Sequence, residues 1–535
     1  MKRFKLHTLA AFSVSLILMC SSCDKFFDIN TDEIMLNENN YQKIGEVYSG
    51  FLGIASAFQA AADDYIVLSE LRGDGVSPTN YAPMDFWEVY RYRVAEDNEL
   101  YNPSRYYRII MNSNDFLRST VDFNRRNPNA IPEKKYKGLI ASAITFRTWA
   151  YLTIGKIYGE AVYYDYALAD KTDFTEQQLL PLDDLINELI YFMKNGVDGV
   201  DAWNDLAWSE IMGQNADDWK YITVNPDILM AELHLWNNSP WDAAISALKA
   251  ISSGMGTDGK PSADKYKLST TYKNGSWKYM FSGAYGTIGN EAFTAVPFDY
   301  SKGQTHKRQY NFSNLDPNVY YLAPNNYWSL KLEGSFRSGM VKTENGRNVI
   351  AKYHLEKKPY EGDNHIYIYR AADAWLMLAE ALTAAGDFAQ ADTILNNGMK
   401  QCWDGKKFNA PFDSPIYTSD LQNNLGIRGR VGATPLRLAD HVVDSLFVNE
   451  AELKARKTFV LDSLIAREAG METAYEGKRW YTLVRMARNL NKPEFLAEPI
   501  SGKFGVSEGN MYKMWLMEPK NWFVKFNQLG VVNGK

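Results

Sequence analysis

Two stretches of this chain carry the same spacing of small residues, and that spacing restricts the fold more than any other feature. Ala231, Ala243 and Ala250 flank the turn Asn237–Asn238–Ser239–Pro240, and Ala379, Ala391 and Gly398 flank Gly386–Asp387. In both, a small residue recurs at +12 and +19 from the first. Small side chains at such places let two antiparallel helices approach closely on either side of a tight turn. The chain is therefore expected to contain paired helices, with the two copies interrupted by other structure.

The N-terminus sets the compartment. Lys2, Arg3 and Lys5 precede an apolar run from Leu9 to Met19, then Ser21, Ser22 and Cys23. A basic head, a short apolar stretch and small residues describe a secretory signal. The run is too short for a bilayer-spanning helix, which needs about 20 apolar residues. Cys23 sits where bacterial lipoproteins carry their acylated cysteine, and this resemblance implies cleavage before Cys23 and lipidation of its sulfur. Residues 1–22 then form the signal and 23–39 a mostly polar, acidic tether. Of the three cysteines only Cys402 would remain unmodified, so no disulfide framework is available and stability must come from a core. With 46% apolar residues in 535, such a core can be built. Removing the three basic charges of the signal takes the formal charge from −6 to −9, and no run of like charge suggests nucleic-acid binding. No later segment is expected to be apolar enough to span a membrane.

Residues 40–535 read as a single domain. Helical spacing predominates over 40–253, for example Val47, Phe51, Ile54 and Phe58, or Leu182, Ile186, Leu189 and Met193. It returns over 366–401 and 438–490. Residues 254–365 and 402–437, rich in Gly, Asn, Ser and Tyr, are expected to be loops with a few short strands. The fold class is thus mainly α-helical, with degenerate tetratricopeptide-like helix pairs as scaffold and a loop-rich remainder.

Catalytic motifs are poorly supported. Residues 254–259 (GMGTDG) satisfy GxGxxG, but they follow a helix and Pro261 stands where a P-loop needs Ser or Thr. Residues 505–509 (GVSEG) satisfy GxSxG, yet the last histidine, His441, precedes them, against the α/β-hydrolase order. The six histidines show no zinc spacing, and Cys402 beside Trp403 has no basic neighbour to activate it. No cofactor or metal is expected.

Several segments stand out in order along the chain: Asp24–Ile29 (DKFFDI) after the lipid cysteine, Ser69–Asp74 (SELRGD), Tyr107, Ile110 and Asn114, and Arg147, Tyr151, Tyr158 and Gly159. Further on come Arg370–Ala381 (RAADAWLMLAEA), Glu472, Tyr475–Gly477, Arg479–Trp480 and Arg485. Together they resemble the SusD-like (RagB/SusD) nutrient-uptake lipoprotein family. Val162 departs from the usual Pro after "YG", and Thr482 from the Asp of "RWxDL". The resemblance implies a non-catalytic outer-membrane protein, lipid-anchored and surface-exposed. It would capture oligosaccharides, or in some members peptides, and pass them to a SusC-like TonB-dependent transporter.

Sugars are held by aromatic rings against their C–H faces and polar groups on their hydroxyls. Two loop clusters fit: Asn80, Tyr81, Asp85 and Trp87, and Tyr320, Tyr321, Asn325, Asn326, Tyr327 and Trp328. The expected platforms are Trp87, Tyr327 and Trp328, with Tyr81 beside them and Asp74, Asn80 and Asn326 as hydrogen-bonding partners. Trp203, Trp208 and Trp219 form a third aromatic loop that could face ligand or transporter. A peptide-binding uptake lipoprotein and a surface glycoside hydrolase remain as alternatives; the sequence does not name the ligand.

Overall fold

The computed structural model describes residues 41–525, apart from 166–178, 253–280, 282–290, 326–336, 354–363 and 397–425 and shorter stretches within 94–96, 205–220 and 299–317. The first half runs α1 (Ile44–Arg72), β1 (Val76–Pro78), α2 (Met84–Tyr90), α3 (Ser104–Arg126), α4 (Glu133–Tyr158), β2 (Glu160–Val162), β3 (Leu179–Pro181), α5 (Leu182–Asn195), α6 (Pro226–Trp236) and α7 (Pro240–Ser252). The middle supplies β4 (Ala292–Phe298), β5 (Leu322–Pro324), β6 (Val341–Glu344), β7 (Arg347–Ile350) and β8 (Asn364–Arg370). The remainder is helical: α8 (Ala371–Ala385), α9 (Phe388–Asn396), α10 (Gly426–Arg430), α11 (Glu450–Glu472), α12 (Arg479–Leu490), α13 (Glu494–Ser501) and α14 (Val506–Leu516).

The helix pairs read from the small residues are present. α6 packs against α7 and α8 against α9, and α7 lies against α8, so the two pairs share a core. Ala231, Ala243, Ala250, Ala379 and Ala391 are all buried, while Gly398 lies outside the described residues. Asn225 caps α6 by accepting from the N–H groups of Asp227 and Ile228, and Pro226 opens the helix where no N–H partner is needed. Gly386 ends α8 in the left-handed region at φ 89°, a conformation that suits glycine.

Three expectations need correction. Residues 366–370 are strand rather than helix: the alternating NHIYIYR of β8 pairs antiparallel with β4, from Ala292 opposite Arg370 to Phe298 opposite Asn364. Helix also does not begin at 438; two short 3-10 turns precede α11, and helices continue past 490 to Leu516. Finally, α1 is long and apolar enough to cross a membrane, but it is mostly buried within the fold. It carries buried Asp63, Asp64, Glu70 and Arg72 and is a core helix.

The segments carrying the family resemblance fasten this architecture. Arg147 of α4 donates to Asn114 Oδ1 (2.7 Å) and the Tyr164 carbonyl (2.7 Å), with its guanidinium against the rings of Tyr151, Tyr163 and Phe192. Val162 uses the N–H that a proline would lack, donating to the Tyr107 hydroxyl at 2.9 Å. Beneath β8 lies a buried charge cluster. Glu472 accepts from Arg337 (2.7 Å), Arg370 (3.0 Å) and Arg430; Arg370 also pairs with Glu476 (2.9 Å) and Glu291 (3.1 Å). Arg337 and Arg428 both reach Glu468. Burial raises the carboxyl of Glu472, but Arg430, Arg337 and Arg370 outweigh it and hold that group well below the usual carboxylate range. Burial acts the same way on Glu476, and Arg370, Lys352 and Lys478 overcome it. These pairs tie the strands and loops of the middle segment to α10 and α11.

Candidate functional site

The site grows from the end of α1. Its last carbonyls would face the interior unpaired, and Lys503 supplies the donors: its ammonium reaches the carbonyl oxygens of Leu71 and Gly73 at 2.9 Å each. The same ammonium lies over the rings of Tyr90 and Tyr92, 4.4 and 4.8 Å from their centroids. Arg72 donates to the Trp522 carbonyl (2.7 Å) and stacks on Trp480. Glu70 accepts from the Gly477 N–H at 2.8 Å, and burial pushes its carboxyl up to about 7 despite that bond. The chain therefore leaves α1 along a fixed path into β1.

β1 pairs antiparallel with β5, Val76 opposite Pro324 and Pro78 opposite Leu322. This ribbon joins the early loop to the middle segment. The Thr79 N–H donates to the Tyr321 carbonyl at 2.8 Å and its hydroxyl to the Tyr320 carbonyl. The ring of Phe86 meets Tyr321 edge-on with centroids 5.8 Å apart. At the other end of the ribbon, the Asn325 N–H donates to the Gly75 carbonyl (2.9 Å) and its amide to Ser77 Oγ (3.0 Å). The register thus sets Tyr320 and Tyr321 beside Thr79.

The expected site residues fall into three groups. Asn80 and Tyr81 are exposed, Tyr81 at 50%, next to Met84 at 70%. Trp87 is half-buried on α2, edge-on to Tyr90, with the Arg91 guanidinium 4.9 Å over its ring. Tyr321 is half-buried and reaches α2 through the buried ring of Phe86. Asn326, Tyr327 and Trp328 lie outside the described residues. Asp74 is a correction. It is fully buried, and both its oxygens accept from Arg479, at 2.8 and 3.0 Å, so the carboxylate is held by protein rather than offered to a sugar. Of the third loop, Trp208 and Trp219 also lie outside the described residues, and Trp203 donates its indole N–H to Asp227 (2.8 Å).

Two cavities were not foreseen. One of about 40 Å³ between Tyr65, Glu232, Tyr369, Asp373 and Arg485 has room for little more than water. The other, about 470 Å³, opens between α11, α12 and α13, with Asp74 and Arg479 at one wall and Phe459 and Phe495 at another. Its rings pack edge-on against each other, and it contains no Tyr or Trp, so it offers no platform for a pyranose. Arg91 was also missed; its signal was its position four residues after Trp87, one helical turn along α2. Among the described residues no group of three His, Cys, Asp or Glu is placed to hold a metal ion.

The comparisons agree on the architecture. A laminarin binding SusD-like protein superposes with a TM-score of 0.56 at 14% identity, over 89% of this chain and 98% of its own. Surface glycan-binding protein A from Bacteroides uniformis gives 0.59 at 14% identity, over 90% and 95%. A SusD superfamily protein from Bacteroides vulgatus gives 0.64 at 12% identity, over 92% and 98%. At these identities the likeness is one of fold. A search of curated protein sequences finds no match. The sequence model of the SusD family matches residues 203–517, more than half of the chain, and on that match, with the fold it predicts in place, the chain belongs to the SusD family.

Proposed function

We propose that this protein is a non-catalytic surface lipoprotein, anchored in the outer membrane through Cys23, that captures an oligosaccharide and delivers it to a SusC-like TonB-dependent transporter. The observation that supports the reading is the β1–β5 ribbon, which pairs two aromatic-bearing segments about 240 residues apart in the chain. Asn80, Tyr81 and Trp87 would contribute from one side and Tyr321 from the other, with Asn326, Tyr327 and Trp328 following in the chain. The laminarin-binding and surface glycan-binding relatives support the same class of ligand.

The test is calorimetric titration of the processed chain, carrying Cys23→Ser for solubility, against a panel of oligosaccharides. In the best binder, Tyr81→Ala with Trp87→Ala should raise Kd by about 5- to 150-fold, the equivalent of about 1–3 kcal/mol for apolar ring surface that the sugar no longer covers. The melting temperature should hold. Full affinity in the double variant would place the ligand elsewhere; a collapsed melting temperature would make the rings packing residues.

A further inference from the structure

We infer that Arg91 makes this site selective for acidic glycans, those bearing uronate carboxylates or sulfate esters; the inference rests on the glycan-binding reading above. Its side chain is exposed, and its guanidinium lies 4.9 Å over the Trp87 ring. Among the described residues its side chain takes part in no ion pair or hydrogen bond. One face of Trp87 is therefore covered by a cation, and a sugar approaching from that side meets a planar donor fork before it meets the ring. A guanidinium stacked on an aromatic ring keeps its in-plane N–H groups free, in the geometry that takes a carboxylate or sulfate through two parallel hydrogen bonds.

The neighbouring acids of its own helix bond to other groups. Asp85 Oδ2 accepts from the Glu99 N–H (3.3 Å), and Glu88 Oε2 accepts from the Asn98 amide (2.8 Å). Both belong to α2 and are turned toward Ala95, Asn98 and Glu99. Glu508, on α14, acts electrostatically on Tyr90 and Tyr512, but Arg91 acts on the same two groups with opposite sign, and so does Arg93 on Tyr512. A guanidinium that makes no ion pair among the described residues attracts an anionic ligand to that place.

The backbone holds the fork in position. α2 ends with the Tyr92 N–H donating to the Val89 carbonyl (3.1 Å) and the Arg93 N–H to the Glu88 carbonyl (2.8 Å). This closing motif usually places glycine in the left-handed region. Here Tyr92 occupies it, at φ 55°, a conformation costly for a residue with a side chain. The Tyr92 hydroxyl donates to the Arg72 carbonyl at 2.6 Å and its ring packs against Trp480 and Trp515, which hold the strained residue in place. Arg91 is thereby fixed between the indole one turn before it and the pinned tyrosine after it.

The experiment is titration of the processed Cys23→Ser chain with oligogalacturonate and chondroitin sulfate oligosaccharides, set against maltoheptaose and laminarin oligosaccharides, at low and high salt. Expected are tighter binding of an acidic ligand, an affinity that falls with salt, and a loss of about tenfold or more in Arg91→Gln with the salt dependence flattened. Arg91→Lys should recover the salt dependence but only part of the affinity. Acidic ligands bound equally well by Arg91→Gln would overturn the inference. So would preference for a neutral glycan whose binding is lost in Trp87→Ala but indifferent to Arg91→Gln; that result would leave the glycan reading intact. Binding of no glycan at all would overturn both.

Discussion

Replacing Glu472 by Gln tests whether the buried charge cluster stabilises the fold through balance of charge or only through packing. The side chains are nearly the same size, so no cavity is made. The change removes one negative charge from among Arg337, Arg370 and Arg430, and sets an amide N–H₂ against guanidinium donors. Breaking a fully buried pair from one side costs about 3–5 kcal/mol. Each arginine keeps another acid, Glu468 for Arg337, Glu476 and Glu291 for Arg370, and Glu291 for Arg430, so the lower end, about 3 kcal/mol, is expected. A chain of 535 residues unfolds with an entropy of roughly 1 kcal/mol per kelvin, which makes this a drop of only about 3 °C in Tm. Urea denaturation as a function of pH is therefore the sharper assay. Glu472 is held well below its unfolded value of about 4.3, so its contribution is complete above that value and is lost as pH falls through the folded pKa. The wild-type protein should lose stability steeply on acidification below about pH 4.5. The variant should be weaker at pH 7 but follow a flatter curve, so that the two converge in acid. Equal stability at pH 7, or parallel curves, would refute an electrostatic role for the cluster.

Two other variants test particular contacts. Asp74→Asn leaves the Arg479 guanidinium buried beside a neutral amide; a loss of about 3 kcal/mol in urea unfolding with unchanged glycan affinity is expected, whereas weakened binding at full stability would return Asp74 to the ligand site. Gly477→Ala places a Cβ 2.6 Å from the Ile66 Cα at φ 77°, so backbone must move; a destabilisation of about 3 kcal/mol is expected, and a variant as stable as wild type would show that α1 yields at that point.

How much was legible depended on distance along the chain. Ala231, Ala243 and Ala250 announced their helix pair because helical contacts recur within a few turns, and capping and turn residues such as Asn225 and Gly386 act locally. The residues carrying the family resemblance were visible as a pattern, but their physical role was not. Glu472 and Arg370 are 102 positions apart, Arg479 and Asp74 405, Gly477 and Glu70 407, and no local periodicity connects such partners. That is why Asp74, an acid in a loop, read as a group for ligand when it is the counter-ion of a distant arginine. The two aromatic loops were identified one at a time, whereas their meeting depends on strands of three residues, too short for alternation to be recognised. The same brevity hid the register that puts Tyr320 and Tyr321 next to Thr79. Arg91 was within reach of sequence reasoning, since α2 is a helix and the spacing from Trp87 is one turn.

Lys503 closes the end of α1 from 432 residues further along, and Trp522 receives Arg72 from 450. During synthesis at about 5–20 residues per second, roughly 20–90 s separate the appearance of that helix end from the arrival of its cap. Until then the carbonyls of Leu71 and Gly73 have no ammonium to meet, and the rings of Tyr90 and Tyr92 lack the cation between them. The aromatic segment around Tyr90 and Tyr92 is thus among the last parts of the molecule to take shape, although it lies near the front of the chain. Contacts of this range make folding slow and leave an apolar first helix waiting for its partners. A chain made this way can complete that helix end only after its final helices have been delivered.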